Sequence, residues 1–262
     1  PGKTVYVFDP IHLDYANIIS DQSYQNYTGV NNYTGIYYAK PVGSGTENCQ
    51  SWNNACTLQN ALETAVTGDE IWVAAGTHKP TIMEDRSATF QLKSGLALYG
   101  GFAGNETSRT QRNPTANVTI LSGEIGAAIN IDNSYHVVTG AIGVTLDGFT
   151  ITAGNANGVN PNDRGGGAYN VSSSPSFTNI AFTSNSAIFG GGIYNSSGSS
   201  PTLANVTFSG NSSTNQGGAI FNTTSSPTLA NVTFTGNSAT NQGGAMYNST
   251  SSPTLTNVTF TG

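Results

Sequence analysis

"SPTLANVTFSGN", Ser200 to Asn211, returns as "SPTLANVTFTGN" at Ser226 to Asn237 and opens again as "SPTLTNVTFTG" at Ser252 to Gly262. The prolines of this phrase keep a constant step, with Pro175, Pro201, Pro227 and Pro253 each 26 residues apart. A step of that length marks an array of stacked units. Each unit offers three short segments of strand character, in the second unit "PTL", "NVTF" and "GGAIFN", divided by Ser, Thr, Asn and Gly turns. None carries a helical period. The pattern predicts an all-β chain, a right-handed parallel β-helix with three short strands per 26-residue coil.

Strand alternation sends Leu203, Val206 and Phe208 inward and leaves Thr202 and Thr207 outside. The following coils place Leu229, Val232 and Phe234, then Leu255, Val258 and Phe260, on top of them at about 4.8 Å per coil. Each coil buries only a few such side chains, at about 1.5 to 3 kcal/mol apiece, so stability has to grow with the stack. Asn179, Asn205, Asn231 and Asn257 recur at one place in the coil. Amides stacked there can hydrogen-bond along the axis, and Asn tolerates the left-handed backbone of a tight corner. Asn185, Asn211 and Asn237 recur at the next turn, and Gly217-Gly218 and Gly243-Gly244 mark corners that a side chain would obstruct.

Less regular coils precede these. "TLDGFTI", Thr145 to Ile151, repeats the pattern with Leu146, Phe149 and Ile151 inward, and "ANVTILSG" at Ala116 to Gly123 echoes it. "DEIWVAAG", "GLALYGGFAG" and "SYHVVTG" read as further strands, so irregular coils are expected over residues 69–164 and regular ones over 165–262. Within 41–68, "TLQNALETAVTGD" puts Leu58, Ala61, Leu62, Ala65 and Val66 on one helical face, the signature of a helix capping the first coil. Residues 1–40 differ again. "KTVYVFD" alternates like a strand, and a stretch rich in Tyr and Asn follows, with "NYTG" at Asn26 and Asn32. This is expected to be an extended arm outside the coil register.

Cys49 and Cys56, in "CQSWNNAC", are the only cysteines. They read as a local disulfide, which implies an oxidising, extracytoplasmic setting; a pair of unlinked thiols in a reducing cytosol is the alternative. Charged residues make up 8% of the chain, against about 25% in ordinary soluble domains. The net charge of −6 argues against nucleic acid as a partner. No apolar run reaches the roughly 18 residues needed to cross a bilayer, so no membrane insertion by a helix is expected.

The pairs "FSGN" (Phe208 to Asn211) with "GGAI" (Gly217 to Ile220), and "FTGN" (Phe234 to Asn237) with "GGAM" (Gly243 to Met246), resemble the FxxN and GGA[I/L/V] repeats of polymorphic outer membrane proteins. "FTSN" at Phe182 and "GGGI" at Gly190 form a looser copy. Similar repeats occur in large bacterial surface proteins with right-handed β-helices, often behind a segment like "SWNNACTLQNALETAVTGDEIWVAAGTHKPT". The resemblance covers roughly residues 50 to 262 and implies a β-helix at the cell surface. Members of that family act as adhesins or as surface stalks. The first 40 residues match nothing in it.

β-Helices also include pectate lyases and polygalacturonases, whose chemistry needs carboxylates with Lys or Arg. From Gly165 to Gly262 the chain has no Asp, Glu, Lys, Arg or His, which excludes a catalytic groove along the regular coils. His12, His78 and His136 lie too far apart for a zinc helix, and "MEDR", Met83 to Arg86, reads as a solvated turn. Asp132 and Asp147 carry no sequence support as a pair. The chain is therefore read as a non-enzyme, with no catalytic residue, metal or cofactor expected. Outward threonines such as Thr202, Thr228 and Thr254 raise ordered water as a ligand, but β-branched strand preference explains them equally. Sequons at Asn26, Asn32, Asn105, Asn195, Asn222 and Asn248 are candidates for glycosylation.

The array stops at Phe260-Thr261-Gly262, partway through a coil, which is read either as a truncation point or as an open end completed by another copy. In the second case the arm, through Val5, Val7, Tyr24, Tyr27, Tyr33, Tyr37 and Tyr38, would bind the next subunit. The expected function is an extracellular, self-assembling surface rod or filament whose partner is the chain itself. An adhesin for host or matrix glycans or proteins is the alternative, and a polysaccharide-active lyase or hydrolase comes third.

Overall fold

In a computed structural model of the chain, which describes residues 35–127 and 129–262, every strand pairing between named strands is parallel. The coils meet in register, Leu203 against Leu229 against Leu255 and Phe208 against Phe234 against Phe260. The result is a parallel β-solenoid of about 7 turns with very little helix. Among the described residues its strands fall into sheets of 12, 6 and 4 strands that wrap one long core, and Trp52, Trp72, Ala74 and Phe102 form a second, smaller apolar cluster. Phe182, Phe208, Phe234 and Phe260 stack along that core with ring centroids 5.0, 4.9 and 4.9 Å apart and planes within 6°.

Each regular coil divides differently from the sequence pattern. "PTL" and "NVTF" belong to one strand, Thr202–Ser209, bent at Asn205, whose φ is +55°. The smallest sheet comes from "SSTNQ", Ser212–Gln216, which the sequence presents as a turn. Only Ser213 of that strand is buried, so no apolar alternation marks it. The last strand of the coil is Ile220–Thr223, with Gly217 and Gly218 forming the corner ahead of it. A Cβ on Gly218 would stand 2.2 Å from the carbonyl oxygens of Gly244 and Ser238, so the corner closes only without a side chain.

Leu203, Val206, Phe208, Leu229, Val232 and Phe234 are all buried, whereas Leu255 and Phe260 are 46% and 51% exposed and Val258 is half-buried. The last three belong to the final coil and have neighbours on one side only. Among the irregular coils, Leu146, Phe149 and Ile151 point inward, and the segments read as strands there contribute Glu70–Ala74, Ala97–Phe102, Thr119–Ser122 and Val138–Thr139.

The start of the stack corrects two expectations. Ile36–Ala39 is not part of an arm; it is a strand of the large sheet, paired with Glu70–Ala74, so Tyr37 and Tyr38 belong to the coil stack. Tyr38 packs edge-on against Trp52 and Trp72, with centroids 4.9 and 5.6 Å away. Val5, Val7, Tyr24, Tyr27 and Tyr33 lie outside the described residues. The other correction concerns the helix, which spans only Leu58–Thr64 and ends before Val66, 63% exposed. The Asp69 carboxylate accepts the Val66 N–H and turns the chain outward there. Leu58, Ala61 and Leu62 still cover the core. The free edge of Ile36–Ala39 is covered by the disulfide-linked Cys49–Cys56 loop, through Tyr38 N–H to Cys49 O and Cys56 N–H to Tyr38 O.

Candidate functional site

The bend in the large sheet is set by asparagine. Asn179, Asn205, Asn231 and Asn257 all have φ between +51° and +55°, a region where Asn is among the few tolerated side chains. Their exposed amides form a directed chain: Asn257 Nδ2 donates to Asn231 Oδ1, Asn231 to Asn205, and Asn205 to Asn179, at 2.7, 3.0 and 3.2 Å. Asn179 donates in turn to Asp147 Oδ1 at 2.8 Å. A carboxylate can only accept, so Asp147 fixes the polarity of the whole ladder. Arg112 holds its other oxygen.

Two further ladders lie inside. Asn185 Nδ2 donates to Asn211 Oδ1 and Asn211 Nδ2 to Asn237 Oδ1, both at 3.0 Å, and each amide also bonds a backbone carbonyl of the coil before it. The other runs Asn170 to Asn195 to Asn222 to Asn248 at 2.9, 2.8 and 2.8 Å. This corrects the sequon assignment. Asn195 and Asn222 are 0% exposed, and the Nδ2 that a glycan would occupy is spent in the ladder. Asn248 is exposed in the last coil and accepts from Asn222; Asn105 is exposed; Asn26 and Asn32 lie outside the described residues. These inner asparagines share one coil position, a signal that N-x-S/T overlapped and hid.

Where the sheet bends, the outer surface is concave. A shallow groove of about 300 Å³ runs across three coils there, from the segment Pro114 to Thr119 past Phe149 and Thr150 to Asn179, Ala181, Asn205 and Thr207. Its floor is the sheet and one wall is the irregular segment, which no sequence pattern placed against the ladder.

The titratable residues considered for chemistry do not converge. His78 is 2% exposed, with Nε2 2.9 Å from Ala74 O, and burial lowers its pKa to about 4. His136 stacks on Tyr169 and contacts Gly165 O, and burial lowers its pKa too. Arg86 of "MEDR" bonds Asn133 O and Asn155 O and lies over the Tyr135 ring. Asp132 accepts from Ala127 N–H, while Asp147 is tied to Arg112 and Asn179. Among the described residues, no group of three His, Cys, Asp or Glu is placed to hold a metal ion. His12 lies outside them.

Fold and ladders together define a parallel β-helix repeat protein. Residues 205–223 and 231–249 match the Chlamydia polymorphic membrane protein repeat. Each match begins at a ladder asparagine and runs to the end of the strand carrying the inner one, so the chain's repeats are similar to those of polymorphic membrane proteins. Among solved structures, the crystal structure of pectate lyase Pel9A is similar over 78% of this chain and 47% of that one, at 19% identity and a TM-score of 0.45. The chain thus spans about half the length of that protein. A search of curated proteins finds no match.

Proposed function

We propose that the chain is a non-enzymatic structural segment of a cell-surface protein, a β-helical rod whose coils act as spacers. The observation that carries this is the continuity of the ladders through coils that hold no Asp, Glu, Lys, Arg or His from Gly165 to Gly262. Such a surface has no acid or base beyond tyrosine, while the inner asparagines of one coil donate to their copies in the next. The repeat match supports a cell-surface or outer-membrane setting. Incubation with neutral and acidic polysaccharides is expected to release neither reducing nor unsaturated sugars, and antibody is expected to label intact producing cells. Sugar release would overturn the non-enzymatic reading.

The finer reading is that rods join end to end. What supports it is that near-identical coils stack in parallel register, Thr228–Thr235 on Thr254–Thr261, so that a coil of one copy can template a coil of another. Electron microscopy of the purified chain is expected to give fibres, lost in Phe260→Asp. Discrete particles alone, at all concentrations, would rule this out.

A further inference from the structure

We propose that the groove at the bend of the large sheet is a binding site for a short, neutral oligosaccharide. This goes beyond the rod reading and does not depend on end-to-end assembly. The lining alternates polar and apolar groups: Asn179, Asn205, Thr150 and Thr207 beside Val118 and Pro114. Sugars present the same alternation, vicinal hydroxyls beside C–H faces, and sites for small ligands combine apolar lining with a few fixed polar groups.

The polar groups have valence to spare. An amide nitrogen carries two N–H donors and its oxygen two lone pairs. Asn205 commits one donor to Asn179, and Asn179 commits one to Asp147, along the rod axis. The second donor of each is available across the groove, and both side chains are exposed. The ladder holds these amides in one orientation, so little rotamer entropy is lost when a ligand bonds to them. Ligand hydroxyls would meet a row of identical groups spaced by the coil step, about 4.8 Å.

The same details argue against other occupants. An acidic sugar needs a free cation, but the guanidinium of Arg112 is already matched by Asp147 and by the carbonyls of Gly100 and Asp147. An extended peptide adding as a strand needs unpaired backbone, and here it is used between coils: Asn179 N–H bonds Ala204 O, Thr207 N–H bonds Ile180 O, and Gly148 N–H bonds Thr178 O. Recognition is left to side chains.

The test is an array of neutral and uronic-acid oligosaccharides probed with the intact chain, followed by calorimetry on the strongest neutral ligand. Ala181 faces outward from the groove floor, so Ala181→Trp fills the groove without entering the core; it should weaken binding by at least about tenfold. Asn205→Gly keeps the left-handed corner while removing the amide, and should weaken binding as well. Thr233→Trp, in the same column one coil beyond Thr207, should bind like the parent. Thermal melting checks that each variant is folded. Absence of any neutral ligand, preference for uronates, or parental affinity in folded Ala181→Trp would each overturn the assignment.

Discussion

The coils before Gly165 and those after it share one fold and are held together by different means. Among the described residues, the earlier ones carry the disulfide, all the ion pairs and cation–π contacts such as Arg86 over Tyr135 at 4.1 Å and Arg109 over Tyr99 at 4.4 Å, while Arg164 reaches across the boundary to the rings of Phe189 and Tyr194. Each such contact occurs once. The later coils carry the same contact repeated, amide on amide and ring on ring, because a translated sequence places each group beside its own copy. At the seam the ladders stop in different ways, the outer one on the Asp147 carboxylate and one inner one on the backbone N–H of Gly154. One region is specific at every position; the other is specific only in its period, and its coils depend on their neighbours.

The largest effects should come from breaking a copy within the later coils. Phe208→Ala opens the ring column and should cost about 3 to 5 kcal/mol. Asn211→Ala removes the acceptor for both the backbone and side-chain N–H of Asn185, two buried donors that would cost about 1 to 3 kcal/mol each. Urea denaturation measures both, and losses below about 1 kcal/mol would mean that the stack heals around a missing member.

Acid should separate the two regions next. His78 is held neutral by burial, with a pKa of about 4 in the fold against about 6.5 unfolded. Between those values the unfolded chain binds the proton and the folded one does not. The stability is therefore complete above pH ~6.5 and falls as pH drops toward ~4, by about 3 kcal/mol at most. His136 shifts in the same direction. The later coils hold no His, Asp or Glu. Amide exchange at pH 4.5 should thus accelerate before Gly165 and change little after it, and His78→Phe should blunt the contrast; uniform acceleration would show that the coils open as one unit.

The period of the later coils was legible because identical residues 26 apart can stack only one way, and with the register came the inward positions of Leu203 and Phe208. The strand Ser212–Gln216 was not, since a strand facing inward through one serine has no hydrophobic alternation to reveal it. Asn195 and Asn222 were misread because the sequon is a local pattern, while their burial is decided by coils 25 to 27 residues away. The groove was half legible. Asn179, Asn205 and Thr207 read as outward or corner residues, but the wall from Pro114 to Thr119 is placed by contacts peculiar to the earlier coils, such as Arg112 reaching Asp147.

The Cys49–Cys56 link closes a loop of sequence separation 7, for which loop-closure entropy gives about 2.5 kcal/mol. Replacing both cysteines with serine should lower stability by roughly that amount and free the edge of Ile36–Ala39. The loss should be confined to the earlier coils, with exchange in Thr228–Thr235 unchanged.

The smallest effect tests what the outer ladder contributes. Asn205 combines a left-handed backbone with axial hydrogen bonds that water can replace, because the side chain is exposed. Alanine loses both, and a left-handed Cβ alone costs roughly 1 to 2 kcal/mol. Glycine loses only the amide and should cost about 0.5 kcal/mol. If the difference between Asn205→Ala and Asn205→Gly appears in urea melts, the outer asparagines are corner residues first, and their amides are free for a ligand. If glycine proves as damaging as alanine, the axial bonds themselves hold the bend. The outer ladder would then resemble the inner ones, and the contrast between surface and core would lie in exposure alone.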